Sequence, residues 1–130
     1  MIKKLASHKF CRTKKIYYKP GTVESRMQYR NGLLHGRKIN YFPSGILWQN
    51  IPYKEGRING IVRKYYEIGF IQQEISFADG LMHGINSWYY KSGIPSSIFL
   101  NNKDNCAYTN REYFYEDGTR KDYYVYTKTR

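Results

Sequence analysis

The chain has 130 residues and a net charge of +12, with 22 Lys and Arg against 10 acids, 15 Tyr and only 2 Cys. That length suits one domain. The opening MIKKLASHKFC lacks the apolar run of a secretory signal, no stretch approaches a membrane span, and two cysteines are too few for a disulfide scaffold or a C-x-x-C zinc site. These features predict a protein of the cytoplasm, or of the interior of a host cell or virion, with its thiols reduced.

In chain order, residues 1–12 read as a basic N-terminal segment, 13–126 as a repeat array and 127–130 as a tail. The positive charge is uneven. Residues 1–64 hold 15 Lys and Arg against Glu24 and Glu55, whereas residues 65–130 hold 7 against 8 acids. Lys9, Arg12, Lys14, Lys15 and Lys19 concentrate the surplus near the start. Such an asymmetric charge can steer an acidic surface toward one end of a molecule, although it also serves solubility alone.

The array is defined by its glycines. Gly21, Gly45, Gly69, Gly93 and Gly118 step by 24, 24, 24 and 25 residues. The pairs Gly32 and Gly36, Gly56 and Gly60, and Gly80 and Gly84 step by 24, and the two sets account for all 11 glycines. An aromatic pair precedes each member of the first set: Tyr17-Tyr18, Tyr41-Phe42, Tyr65-Tyr66, Tyr89-Tyr90 and Phe114-Tyr115. Eight residues after that glycine stand Tyr29, Tyr53, Phe77, the exception Asn101, and Tyr126. The outer units are degenerate, with His8 and Arg12, and Asn105 and Thr109, where paired glycines belong. Terminal units of a stacked array have one neighbour and one wet face, so degeneracy is expected there.

Within a unit, two β-prone runs flank a turn: 37–42 and 46–53 around Pro43-Ser44-Gly45, 62–66 and 70–77 around Glu67-Ile68-Gly69, 88–90 and 94–100 around Lys91-Ser92-Gly93. The second link, as in Lys54-Glu55-Gly56, has the same turn chemistry. No segment carries sustained helical periodicity. The predicted fold is all-β: an elongated antiparallel sheet of about five stacked hairpins, each with two strands and adding about 9.6 Å, roughly 48 Å in all. Cys11 and Cys106, about four repeats or roughly 38 Å apart, are then too distant for a disulfide. Adjacent aromatics point to opposite faces. One file (Tyr17, Tyr41, Tyr65, Tyr89, Phe114) and the other (Tyr18, Phe42, Tyr66, Tyr90, Tyr115) therefore line different faces, one serving as a thin core and the other partly exposed. In the simpler reading both files brace neighbouring hairpins.

The strings RNGLLHGRKINYFPSG, KEGRINGIVRKYYEIG and ADGLMHGINSWYYKSG resemble MORN repeats (membrane occupation and recognition nexus), most closely the variant, antitoxin-like form of bacteria and large viruses. The resemblance covers residues 13–126 and rests on the paired glycines, on His35 and His83 before the second glycine, on the aromatic pair and on the turn glycine. It implies a curved sheet of hairpins that binds other proteins and sometimes self-associates, and it supplies no catalytic residue.

Enzymatic signatures are missing from the sequence itself. His35 and His83 lie two repeats apart, roughly 19 Å, too far to share a metal. Ser44 and Ser92 sit in no G-x-S-x-G elbow, Gly32-x-x-x-Gly36 precedes no helix or Gly-Lys-Ser/Thr, and Glu116-Asp117 forms a turn beside Gly118. The expectation is a protein without catalytic, metal or cofactor sites. Its partner would be a protein with an acidic surface, bound through Lys9, Arg12, Lys14, Lys15, Lys19, Tyr18, Phe42, Tyr66 and Tyr90. Nucleic acid is the alternative partner, because Ile16-Tyr17-Tyr18-Lys19 and Arg63-Lys64-Tyr65-Tyr66 interleave rings and cations. Self-association through the array ends is a third reading, and membrane binding is not expected.

Overall fold

The computed structural model describes residues 11–102 and 105–122, and for 102 and 105–110 the backbone alone. Ten strands follow one another: β1 (Cys11–Lys19), β2 (Thr22–Arg30), β3 (Leu33–Tyr41), β4 (Leu47–Lys54), β5 (Arg57–Ile58), β6 (Gly60–Tyr65), β7 (Ile71–Ala78), β8 (Leu81–Tyr89), β9 (Pro95–Asn102) and β10 (Asn105–Tyr113). They form one open antiparallel sheet in the order β1-β2-β3-β4-β6-β7-β8-β9-β10, with the short β5 paired to β4. No helix occurs among the described residues. Successive strands pair with each other except β5 and β6, which both pair with β4, and β1 and β10, which carry Cys11 and Cys106, lie on opposite edges. Residues 1–10, with His8 and Lys9, and 123–130, with Tyr126 and the tail, lie outside the described residues.

Two kinds of turn alternate. At Asn31-Gly32, Glu55-Gly56 and Asp79-Gly80 both residues have positive φ, from 48° to 82°, and the flanking Arg30 and Leu33, Lys54 and Arg57, Ala78 and Leu81 pair directly. This is the two-residue turn whose twist matches a hairpin, and it lets a strand begin immediately after the glycine. The strands after these turns therefore start at Leu33 and Leu81, not at 37 and 88 as expected from composition. In the third unit β5 and β6 divide that strand at Asn59, whose N–H turns back to the Pro52 carbonyl at 3.1 Å. The other turns follow the aromatic pair. Phe42 donates its N–H to Ile46 and accepts from Gly45, both at 2.8 Å, and Tyr66, Tyr90 and Tyr115 repeat this with Phe70 and Gly69, Ile94 and Gly93, Thr119 and Gly118. In these four units the second aromatic of the pair thus belongs to the turn, whereas Tyr18 lies within β1, whose turn is closed by Lys19 and Thr22.

Glu55 is the poorest fit to its turn. At φ 48° it occupies a left-handed conformation that Asn and Asp tolerate and other side chains reach at a cost. Its ion pair with Arg30 spans 3.6 Å with a largely exposed carboxylate, so it contributes little. Glu55→Asn is expected to raise stability by about 0.5–1 kcal/mol, as measured by urea denaturation. A lower midpoint would show that the ion pair outweighs the backbone preference.

A single-layer sheet has no enclosed interior, and the most buried side chains are mostly polar. Met27, at 7% exposure, is the one buried apolar side chain among the described residues, beside Ser25, Asn86, Ser87 and Ser97. These lie in mid-strand, so neither aromatic file is the core, in contrast to the sequence-based expectation; the aromatic pairs stand at the strand ends, beside the turns. With no second layer to exclude water, buried polar groups are tolerated because they satisfy one another. Ser25 Oγ donates to Asn40 Oδ1, and Asn40 Nδ2 to Gln49 Oε1, each at 2.8 Å across three strands. Asn86, at 1% exposure, accepts the Ser76 N–H at 2.8 Å beside a register shift between β7 and β8, replacing a ladder bond lost there.

Candidate functional site

Strand alternation sorts the side chains onto two faces. Ser25, Met27 and Tyr29 of β2 stand on what we term the front face, with their β1 partners Ile16, Lys14 and Arg12; Arg26 and Gln28 stand on the back with Lys15 and Thr13. The expected basic cluster is therefore divided, Arg12 and Lys14 in front and Lys15 behind, while Lys19 pairs with Thr22 at the first turn. All nine residues of β1 are exposed, and β1 is an edge strand. Charges on such an edge also oppose unwanted strand pairing, a structural use that competes with a binding one.

The bulge beside each of the first four aromatic pairs fixes where the two files point. Ile16 pairs with Ser25 but Tyr17 with Val23, leaving Glu24 extra; Trp48, Gln72 and Ser96 are extra in the same way. A bulge places two successive side chains on one side, so Trp48 joins Gln49 in front while Leu47 and its partner Tyr41 face back. The files containing Tyr41 and Phe42 thus line opposite faces, Phe42 packing at a tilt against Trp48 with ring centroids 5.9 Å apart.

The Tyr18, Phe42, Tyr66, Tyr90 file, expected as a partner-binding stripe or, in the simpler reading, as a brace between hairpins, makes contacts of the bracing kind. Tyr18 donates its hydroxyl to the Tyr41 carbonyl at 2.8 Å, Tyr66 to Tyr89 at 2.7 Å and Tyr90 to Phe114 at 2.8 Å. Each bond reaches the first aromatic of the next unit. Phe42 stands at the same position without a hydroxyl. The rings remain accessible, with Tyr18 at 43% exposure and Phe42, Tyr66 and Tyr90 half-buried.

A second set of tethers joins the two-residue turns. Gly56 N–H donates to Leu34 at 2.7 Å and Gly80 N–H to Ile58 at 2.8 Å. The preceding Glu55 and Asp79 donate their N–H groups to His35 Nδ1 at 3.2 Å and Asn59 Oδ1 at 3.1 Å. His35 thus caps the next turn, and Asn59 takes that role in the following unit.

The two halves differ chemically. On the back face Arg63 Nε contacts Glu74 Oε1 at 2.8 Å, and Tyr89 donates its hydroxyl to Glu74 Oε2 at 3.0 Å. Burial, with the adjacent carboxylate, pushes the Tyr89 phenol above its ordinary range. On the front, Trp88, Phe99 and Tyr113 form a chain of rings with centroids 5.0 and 5.6 Å apart. In the last turn Asp117 is held below the usual carboxylate range by the Thr119 hydroxyl and N–H, at 2.6 and 2.8 Å. Among the described residues no three His, Cys, Asp or Glu side chains are grouped to hold a metal. No family model, curated protein or solved structure matches the chain.

Proposed function

We propose that the protein is a non-enzymatic binding module of MORN-like hairpin repeats that holds a partner protein, and that it acts by covering that partner's working surface, as the resemblance to antitoxin-like repeats suggests. The observation that carries this reading is the one-layer sheet, which leaves apolar side chains accessible on a rigid support. Ile85 and Leu100, paired across β8 and β9, are 61% and 39% exposed, and Ile61 is 41% exposed. Its positive surplus lies at the β1 end, so the partner meets it with an acidic surface. The division of Arg12 and Lys14 from Lys15 between two faces favours separate contacts over a continuous phosphate track.

The experiment is a tagged pull-down from the native cell, with and without nuclease, followed by reconstitution with the purified partner. A stoichiometric protein retained after nuclease, and inhibited when reconstituted, supports the reading; material lost with nuclease replaces it with nucleic-acid binding. With a partner in hand, the triple substitution Lys14→Glu, Lys15→Glu, Lys19→Glu is expected to slow association about 10-fold at low salt and to flatten its salt dependence. An unchanged on-rate would remove the charged end from the interface.

A further inference from the structure

Three back-face positions recur two repeats apart with different chemistry. Lys15, Arg26 and Tyr41 become Arg63, Glu74 and Tyr89 after 48 residues. The backbone relation is the same at both places, since Lys15 and Arg26 are partners across β1 and β2 just as Arg63 and Glu74 are across β6 and β7. In the later set a carboxylate joins the cation and the tyrosine hydroxyl, through contacts of 2.8 and 3.0 Å. In the first set an arginine occupies the carboxylate's position, so two cations face each other. Like charges directly opposite on a sheet are destabilising. Neither Lys15 nor Arg26 pairs with an acid among the described residues. The unit between them carries neutral Ile39 and Asn50 at these positions, so the repeat does not itself require two cations there.

Lys15, Arg26 and Tyr41 line a groove of about 450 Å³ with Thr22 and the turn residues Gly21 and Gly45. Ser44 also lines it, but its hydroxyl donates to Glu67 Oε1 at 3.0 Å. A lysine ammonium, a guanidinium and a phenol can all donate to one planar oxyanion, and a guanidinium favours a carboxylate with two parallel bonds.

We propose that this groove is an oxyanion site that takes a carboxylate, completing with a foreign group the arrangement that Glu74 completes internally. The carboxylate comes from an Asp or Glu of the partner; its source rests on the protein-binding reading, whereas the site's chemistry does not. The two cations are kept facing each other because the partner's acid relieves their repulsion, which couples docking to local stability.

The test is titration of the isotope-labelled full chain with sodium acetate, followed by amide NMR, beside sodium phosphate and sodium chloride at matched ionic strength. Saturable acetate shifts are expected at Thr22, Arg26 and Tyr41, with half-saturation on the order of 10 mM. Arg26→Gln removes them. Arg26→Glu removes them too and raises the melting temperature by about 2–5 °C, because the internal carboxylate is restored. Equal shifts with chloride, half-saturation by phosphate at a tenfold lower concentration than acetate, or shifts that persist in Arg26→Gln would each overturn the carboxylate site. A failed pull-down leaves the acetate result standing, since acetate needs no partner. A failed acetate titration beside a successful pull-down overturns this site alone.

Discussion

Gly60→Ala is expected to destabilise the protein by about 2–4 kcal/mol. Two costs combine. Gly60 has φ 117°, a conformation that an L side chain adopts only under strain, and an added Cβ would lie 3.0 Å from Cγ and 3.4 Å from Cβ of Pro52. The proline ring cannot swing aside. Gly84, one repeat on at φ 94°, separates the two costs, because its added Cβ would meet Ser76 Cβ at an ordinary 3.5 Å. Gly84→Ala therefore bears the backbone strain alone, about 1–2 kcal/mol. Urea denaturation of both variants checks this. Equal losses would mean that backbone strain alone sets the cost and that Pro52 yields.

Removing the hydroxyls of Tyr18, Tyr66 and Tyr90 together is expected to cost about 1.5–3 kcal/mol. Each replacement by Phe deletes one hydrogen bond to a neighbouring unit's carbonyl, typically worth about 0.5–1.5 kcal/mol net, with exposure keeping the Tyr18 bond at the low end. The three sites share no partner, so their effects add. The complementary variant is Phe42→Tyr. It supplies the missing member of the series and is expected to gain about 0.5–1 kcal/mol if its hydroxyl reaches the Tyr65 carbonyl. Single-variant melts decide the matter. A neutral triple variant would show that these rings act by packing alone, and would return the whole file to the candidate contact surface.

The sequence made the turns and the strand sequence legible because their requirements are local. Asn31-Gly32 and Asp79-Gly80 favour a tight hairpin whatever surrounds them, and Tyr41-Phe42 must point to opposite sides of an extended chain. The bonds between units were not legible in the same way. That Tyr66 reaches the Tyr89 carbonyl, or that His35 accepts the Glu55 N–H, depends on how far one hairpin is rotated and offset against the next. The recurrent bulge at Glu24, Trp48, Gln72 and Ser96 sets part of that offset, and its residues share no chemistry that would reveal it. The core was misplaced for a related reason: aromatic side chains were expected to be covered, but in one layer the mid-strand positions are covered first. Of the paired cations, Lys15 was visible only as part of a basic cluster and Arg26 was not singled out at all, because their opposition across two strands needs the register.

The sheet order also bears on how the molecule fails. Each strand is held by its neighbours in the chain, and no described contact brings the two ends of the array together. Losing one junction therefore does not remove a keystone; it leaves two shorter sheets, each with its remaining hairpins intact. Damage stays where it falls. A partner that grips two units across a weak junction then acts as a splint, adding stability where the chain's own tethers are fewest.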